Sequence, residues 1–119
     1  MAAHNEVGKL GEKLALDYLV CEKYEVLETN YRFSYAEVDI IARKDGVLIF
    51  VEVKTRSSDK YGMPELFVSP RKTKLMMDAA YHYMEMIEHD WEIRFDVISL
   101  LLPKHQAPRL NHIKDAFVP

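Results

Sequence analysis

Asp45-Gly46 separates two runs of strand-forming residues, Ala36–Arg43 and Val47–Thr55. The dipeptide is a strong hairpin signal, because a type I′ turn needs positive φ at both central positions and these residues tolerate it. A two-residue turn leaves one register: Lys44 faces Val47, Ala42 faces Ile49 and Ile40 faces Val51. Continued, the same register sets Asp39 opposite Glu52 and Glu37 opposite Lys54. A slip of one residue would bring Asp39 beside Val51 and mix charge into the apolar side. Strict alternation then assigns Val38, Ile40, Ala42, Val47, Ile49, Val51 and Val53 to an apolar face beneath a helix. The opposite face passes from Ile41 and Phe50 to Asp39 and Glu52, and then to Glu37 and Lys54.

Facing residues of an antiparallel pair have Cβ atoms ~4.5–5.5 Å apart, and like charges there destabilise the sheet. In a partly covered site the repulsion raises the pKa of one carboxyl. A hard divalent cation with oxygen ligands would relieve it, and Mg²⁺ suits one or two carboxylates completed by water and phosphate. A shared proton or a water would relieve it too. Lys54, one pleat beyond Glu52, would orient an attacking water or steady a phosphate oxygen. Read singly, Glu-x-Lys in a strand is an ordinary solvated face with a Glu37–Lys54 cross-strand pair; the facing acids are what such a face does not need.

The remaining chain surrounds this hairpin with helical and extended segments. Val7, Leu10, Leu14 and Tyr18, widened by Ala15 and Leu19, predict a helix over Asn5–Glu22. Gly8 and Gly11 inside it each cost about 1 kcal/mol relative to alanine, so a close backbone approach is expected there. Glu12 lies on the edge of the apolar stripe, roughly 140° from Val7 at ~3.6 residues per turn. Tyr24–Tyr31 predicts a strand, Ser57–Val68 a loop, and Ser69-Pro70 an N-cap followed by proline at the first helical position. That helix extends to about His89 with Leu75, Met76, Ala79, Ala80, Tyr83 and Ile87 inward. Trp91–Leu102 and Arg109–Phe117 complete the strands. The order is α-β-β-β-α-β-(β), which fits an α/β sandwich with a mixed sheet, a helix on each face and the fourth strand parallel to the third.

The 119 residues are the size of a single domain, here taken as 1–119. No apolar run approaches the ~18 residues of a membrane span. Cys21 is the sole cysteine, which forbids an internal disulfide and is expected to pack as a small apolar residue. The charged first twenty residues do not resemble a signal peptide, so a reducing cytoplasm is the expected location. Net charge is −3, yet residues 43–74 carry eight basic groups against four acidic ones. Such a block is either an ordinary solvated surface or a phosphate-facing patch.

Asp39, followed after twelve residues by Glu52-Val53-Lys54, resembles the signature of the PD-(D/E)XK nucleases. With "GEKLALDYL", "NYRFSYAEVDIIA", "IFVEVKTR", "YGMPELFVSPRK" and "IRFDVI", the chain from about Gly8 to Ile98 resembles the YraN-like family of small bacterial proteins and, more distantly, archaeal Holliday-junction resolvases. Val38 stands where the nuclease signature has proline, and Ala36 where the YraN-like pattern usually has glycine. The resemblance implies a restriction-endonuclease-like three-layer sandwich. It implies Asp39, Glu52 and the Val53 carbonyl as ligands of Mg²⁺ (or Mn²⁺), Glu12 as a further ligand directly or through water, and Lys54 as the catalytic lysine. It also implies hydrolysis of phosphodiesters in nucleic acid, DNA above all and structured or branched DNA in particular, by a domain that often acts as a homodimer.

Arg71, Lys72 and Lys74 open the second helix, where cations oppose the macrodipole; a bound phosphate would account for them, as would a solvated first turn. Arg56 continues the face of Glu52 and Lys54 and would meet the nucleic-acid backbone. Tyr31-Arg32-Phe33 and Tyr35 mix aromatic and basic groups that either pack the loop or stack on unpaired bases, with packing preferred. Arg94 and Asp96 are expected to form a structural salt bridge. Two further readings stand beside the nuclease: a metal-independent nucleic-acid-binding module on the same fold, and a protein-interaction domain using the Met-rich second helix or an exposed sheet edge.

Overall fold

The computed structural model describes residues 2–57 and 68–118. Its elements follow the anticipated order: α1 (Ala2–Cys21), β1 (Glu25–Phe33), β2 (Ala36–Lys44), β3 (Val47–Arg56), α2 (Pro70–Met86), β4 (Ile93–Leu101) and β5 (Arg109–Phe117). The loop expected over Ser57–Val68 falls, but for its two ends, outside the described residues. Asp45 and Gly46 both take positive φ, 52° and 82°, and form the hairpin turn between β2 and β3. Ser69 caps α2 by accepting the Lys72 N–H on its hydroxyl, with Pro70 at the first helical position. Among the described residues no helix is long and apolar enough to cross a membrane.

The five strands form one sheet in the order β1-β2-β3-β4-β5. The β3–β4 pair is parallel and the others are antiparallel, as the helical crossover α2 requires. Two apolar clusters lie on the two faces of this sheet. Ala15 and Leu19 of α1 pack on Ile40, Ala42, Ile49, Val51, Ile98 and Leu100. Met76, Ala79, Ala80 and Tyr83 of α2 pack on Ala36, Val38, Ile41, Leu48, Phe50 and Phe95. The result is a three-layer α/β sandwich.

Gly11 packs closely on the sheet: a Cβ there would lie 2.0 Å from the Thr55 hydroxyl oxygen and 2.9 Å from its Cβ. The glycine therefore lets the first half of α1 settle on the end of β3. Gly8 meets nothing within 4 Å, so the close approach expected there is absent. Cys21, the last residue of α1, is exposed rather than packed. Ile87, expected inward, follows the last residue of α2 and is 37% exposed.

The strict alternation expected along β2 does not hold. Val38 and Ile41 share the α2-side cluster, whereas Ile40 and Ala42 belong to the α1 side. The phase of the strand resets between residues 38 and 40. In the neighbouring strand Asn30 adopts φ 53°, and the Asn30–Asp39 position is missing from the run of pairs between Glu28–Ile41 and Phe33–Ala36. Asparagine tolerates this left-handed conformation better than most residues. Val38 thus moves to the face opposite the one that alternation assigns.

Candidate active site

The β2–β3 ladder follows the anticipated register from Lys44–Val47 to Ile40–Val51 and ends there. The direct pairings expected next, Asp39 with Glu52 and Glu37 with Lys54, do not form. In their place the Val53 N–H donates to Asp39 Oδ2 at 2.8 Å. A carboxylate thus occupies the position of a backbone acceptor. The N–H and C=O of a strand residue point to the same side, so the Val53 carbonyl also faces the gap that Asp39 bridges.

Asp39 lines a cavity of about 210 Å³ with Ile40, Thr29 and Asn30 of the sheet and Lys9, Glu12, Lys13 and Leu16 of α1. Glu12 is half-buried over this cavity. Burial raises its carboxyl pKa, and the charges of Asp39 and Glu37 raise it further. Glu37, which the sequence paired with Lys54, instead sits opposite Arg32 of β1 and forms a 3.6 Å ion pair with it.

Glu52 meets Asp39 from β3. Burial and then the neighbouring charge of Asp39 push its carboxyl up to about 7, against the opposing charges of Lys72 and Lys54. A hydrogen bond with the Asp39 carboxyl adds to the rise, since one member of such a pair must carry a proton to donate. The Lys72 ammonium lies 3.6 Å from Glu52 Oε1. That oxygen and Oε1 of Glu12 are buried without a hydrogen-bond partner. A buried carboxylate oxygen short of hydrogen bonds is the kind of group that an oxygen-seeking cation satisfies. Among the described residues, no three His, Cys, Asp or Glu side chains converge closely enough to hold an ion by themselves. The donor set here is two adjoining carboxyls and a strand edge, with Glu12 farther out.

The proposed nucleic-acid residues divide by surroundings. Lys72 belongs to the carboxylate site. Lys74 is exposed and pairs with Asp78 at 3.7 Å one turn along α2. Arg71 is exposed on the first turn of the helix, and Arg32 projects beside Glu37. Arg56 is half-buried at the end of β3, its carbonyl accepting from Leu102 N–H at 2.7 Å. Of the aromatic group, Tyr31 and Phe33 pack against the α2-side core, while Tyr35 is 91% exposed.

A second polar cluster lies beneath α1. Asp96, fully buried, accepts a two-pronged contact from Arg94 at 2.8 and 2.9 Å, the Asp115 N–H at 3.0 Å and His112 Nε2 at 2.7 Å. Since Nε2 donates to the carboxylate, Nδ1 is the acceptor for the Tyr18 hydroxyl at 2.8 Å. Arg94 also reaches the Tyr24 hydroxyl at 3.1 Å. The Arg94–Asp96 salt bridge matches its expectation; the part of His112 went unseen, because β5 reaches Asp96 only through sheet pairing.

An α/β sandwich whose ladder opens at an aspartate–glutamate couple, flanked by lysines from β3 and α2, defines a small single-sheet domain with an acidic and cationic site at a strand end. The chain belongs to the uncharacterised protein family UPF0102, whose family model matches residues 11–100, a span that includes Glu12, Asp39, Glu52, Lys54 and Lys72. It is 49% identical over 117 residues to a UPF0102 protein of Christiangramia forsetii, covering 98% of each chain. A Bacteroides fragilis UPF0102 protein is 42% identical across 100% of this chain and 98% of its own. One from Thermodesulfovibrio yellowstonii is 41% identical over 115 residues, 97% of this chain and 98% of its own.

Proposed function

We propose that this protein is a divalent-metal-dependent nuclease-like enzyme that hydrolyses phosphodiester bonds in DNA. The observation that carries the reading is the meeting of Asp39 and Glu52 at the open end of the β2–β3 ladder, where Glu52 Oε1 is buried without a hydrogen bond and faces only the Lys72 ammonium at 3.6 Å. Asp39 and Glu52 would hold Mg²⁺ or Mn²⁺, joined by the Val53 carbonyl and, through water, by Glu12. The bound ion would offset charge on the scissile phosphate and lower the pKa of a water. Lys54, whose charge already acts on Glu52, orients that water. Lys72 exchanges its contact with Glu52 for a phosphate oxygen, and Arg32, Arg56, Arg71 and Lys74 hold the flanking backbone without reading sequence.

The test is Mg²⁺-dependent cleavage of branched and linear DNA by the wild type, Asp39→Ala, Glu52→Ala and the double variant. Cleavage that survives in the folded double variant overturns the assignment. The Lys72–Glu52 ion pair favours a second reading, a binding module in which lysine supplies the positive charge in place of a metal. That module would bind nucleic acid equally in the presence of a chelator and show no heat of metal binding.

A further inference from the structure

The turn between β1 and β2 holds the most exposed aromatic ring of the described residues. Ser34 takes φ 58°, and Tyr35 beside it is 91% exposed. Next to it lies a cavity of about 270 Å³ lined by Phe33, Ser34, Tyr35, Ala36, Leu75 and Asp78. Its wall is preorganised: Phe33 stacks on His82 with ring centroids 4.1 Å apart, and the Tyr31 hydroxyl and His82 Nδ1 share a hydrogen bond at 2.7 Å. The cavity falls just below the ~300 Å³ at which pockets for whole small ligands begin. It offers two aromatic rings, a hydroxyl donor and a carboxylate acceptor. Those groups match a flat heterocycle with polar edges.

Its position relates it to the carboxylate site. Leu75 is one helical turn beyond Lys72, about 4.5 Å along α2. Ala36 precedes Asp39 by three strand residues, about 10 Å. That distance is spanned by about three base steps at ~3.4 Å each. Cationic Arg71, Lys72 and Lys74 lie along the same helix end, where a phosphate backbone would run.

We infer that this cavity and Tyr35 take one unpaired nucleobase of a strand whose backbone passes the Asp39–Glu52 site. The inference rests on the reading above and deepens it. The preferred substrate has a single-stranded or frayed base within a few nucleotides of the cut. Tyr35 caps the base by stacking, and Asp78 and Ser34 meet its polar edge.

The test uses the full chain in chelator, so that binding is measured without cleavage. Single-stranded and blunt duplex oligonucleotides of one sequence carry 2-aminopurine, whose fluorescence falls on stacking. The expected result is tighter binding of the single strand with quenching. In Tyr35→Ala that binding weakens ~5- to 100-fold, as for loss of one base–aromatic stack, and the quench is lost. Tyr35→Phe retains both, and duplex affinity is unchanged in either variant. Equal binding by wild type and Tyr35→Ala overturns the inference, as does preference for an aromatic peptide over every oligonucleotide. Tyr35-dependent binding with no cleavage under Mg²⁺ leaves the base site standing and removes the hydrolase. Cleavage with no dependence on Tyr35 does the reverse.

Discussion

Asp39 Oδ2 accepts the Val53 N–H at 2.8 Å, where a continued β-ladder would offer a backbone carbonyl. One carboxylate therefore closes the end of a hairpin and also borders Glu52. Asp39→Asn keeps an acceptor for Val53 and removes the charge; Asp39→Ala removes both. The alanine variant is expected to lose ~1–3 kcal/mol, the cost of a buried donor left unsatisfied, and the asparagine variant less. Both should lose the heat of Mg²⁺ or Mn²⁺ binding. Urea denaturation combined with calorimetry separates the two roles.

The contrast between the two helical glycines gives a second expectation. Gly11→Ala drives a methyl into Thr55 and should cost ~1–3 kcal/mol through overpacking. Gly8→Ala has open space and should add up to about 1 kcal/mol by helix propensity. Thermal melts of the pair would show shifts of opposite sign.

The metal-free protein should weaken as pH rises across the range set by Glu52. Its carboxyl is raised from an ordinary 4.5 to about 7. The folded state therefore holds a proton that the unfolded state has released, and stability falls between these values. Glu52→Gln should flatten that fall and stabilise the apo-protein above pH 7 by roughly 1–3 kcal/mol. Affinity for Mg²⁺ should rise over the same interval, because the ligand must be deprotonated. Stability and calorimetric titrations at pH 5.5, 7 and 8 would reveal both trends, and a flat stability profile would refute the buried couple.

Asp96 behaves in the opposite sense. Burial alone would raise its carboxyl, but hydrogen bonds from His112, Arg94 and the Asp115 N–H outweigh burial and hold it below 3.8. Its contribution to stability is complete above the unfolded value and is lost as pH falls through the folded one. Asp96→Ala would strand a half-buried arginine and a buried histidine side chain and should cost ~3–5 kcal/mol. Far-ultraviolet circular dichroism during urea unfolding measures it; a loss under 1 kcal/mol would show that the cluster does not hold β4, β5 and α1 together.

Much of this architecture was legible in short stretches of chain. Asp45-Gly46 specified five β2–β3 pairs because turn geometry propagates directly into register. Ser69-Pro70 marked the start of α2 because a cap and a fixed φ are local properties. The residues Asp39, Glu52 and Lys54 were found by their order. The face of Val38 was not, because period-two counting along β2 carries no sign of the reset at Asn30 and Asp39.

Contacts between distant segments explain the rest. Lys72 reaches Glu52 from another element, and Glu37 turns to Arg32. Tyr18 and His112 meet across 94 positions. Turns, caps and periodicity arise from neighbouring residues and could be read along the chain. The opened ladder, the buried carboxylate oxygens of Glu12 and Glu52 and the packing of α1 onto Thr55 depend on which surfaces the folded layers press together. Burial and nearby charge, created by that packing, turn an acidic strand pair into a site.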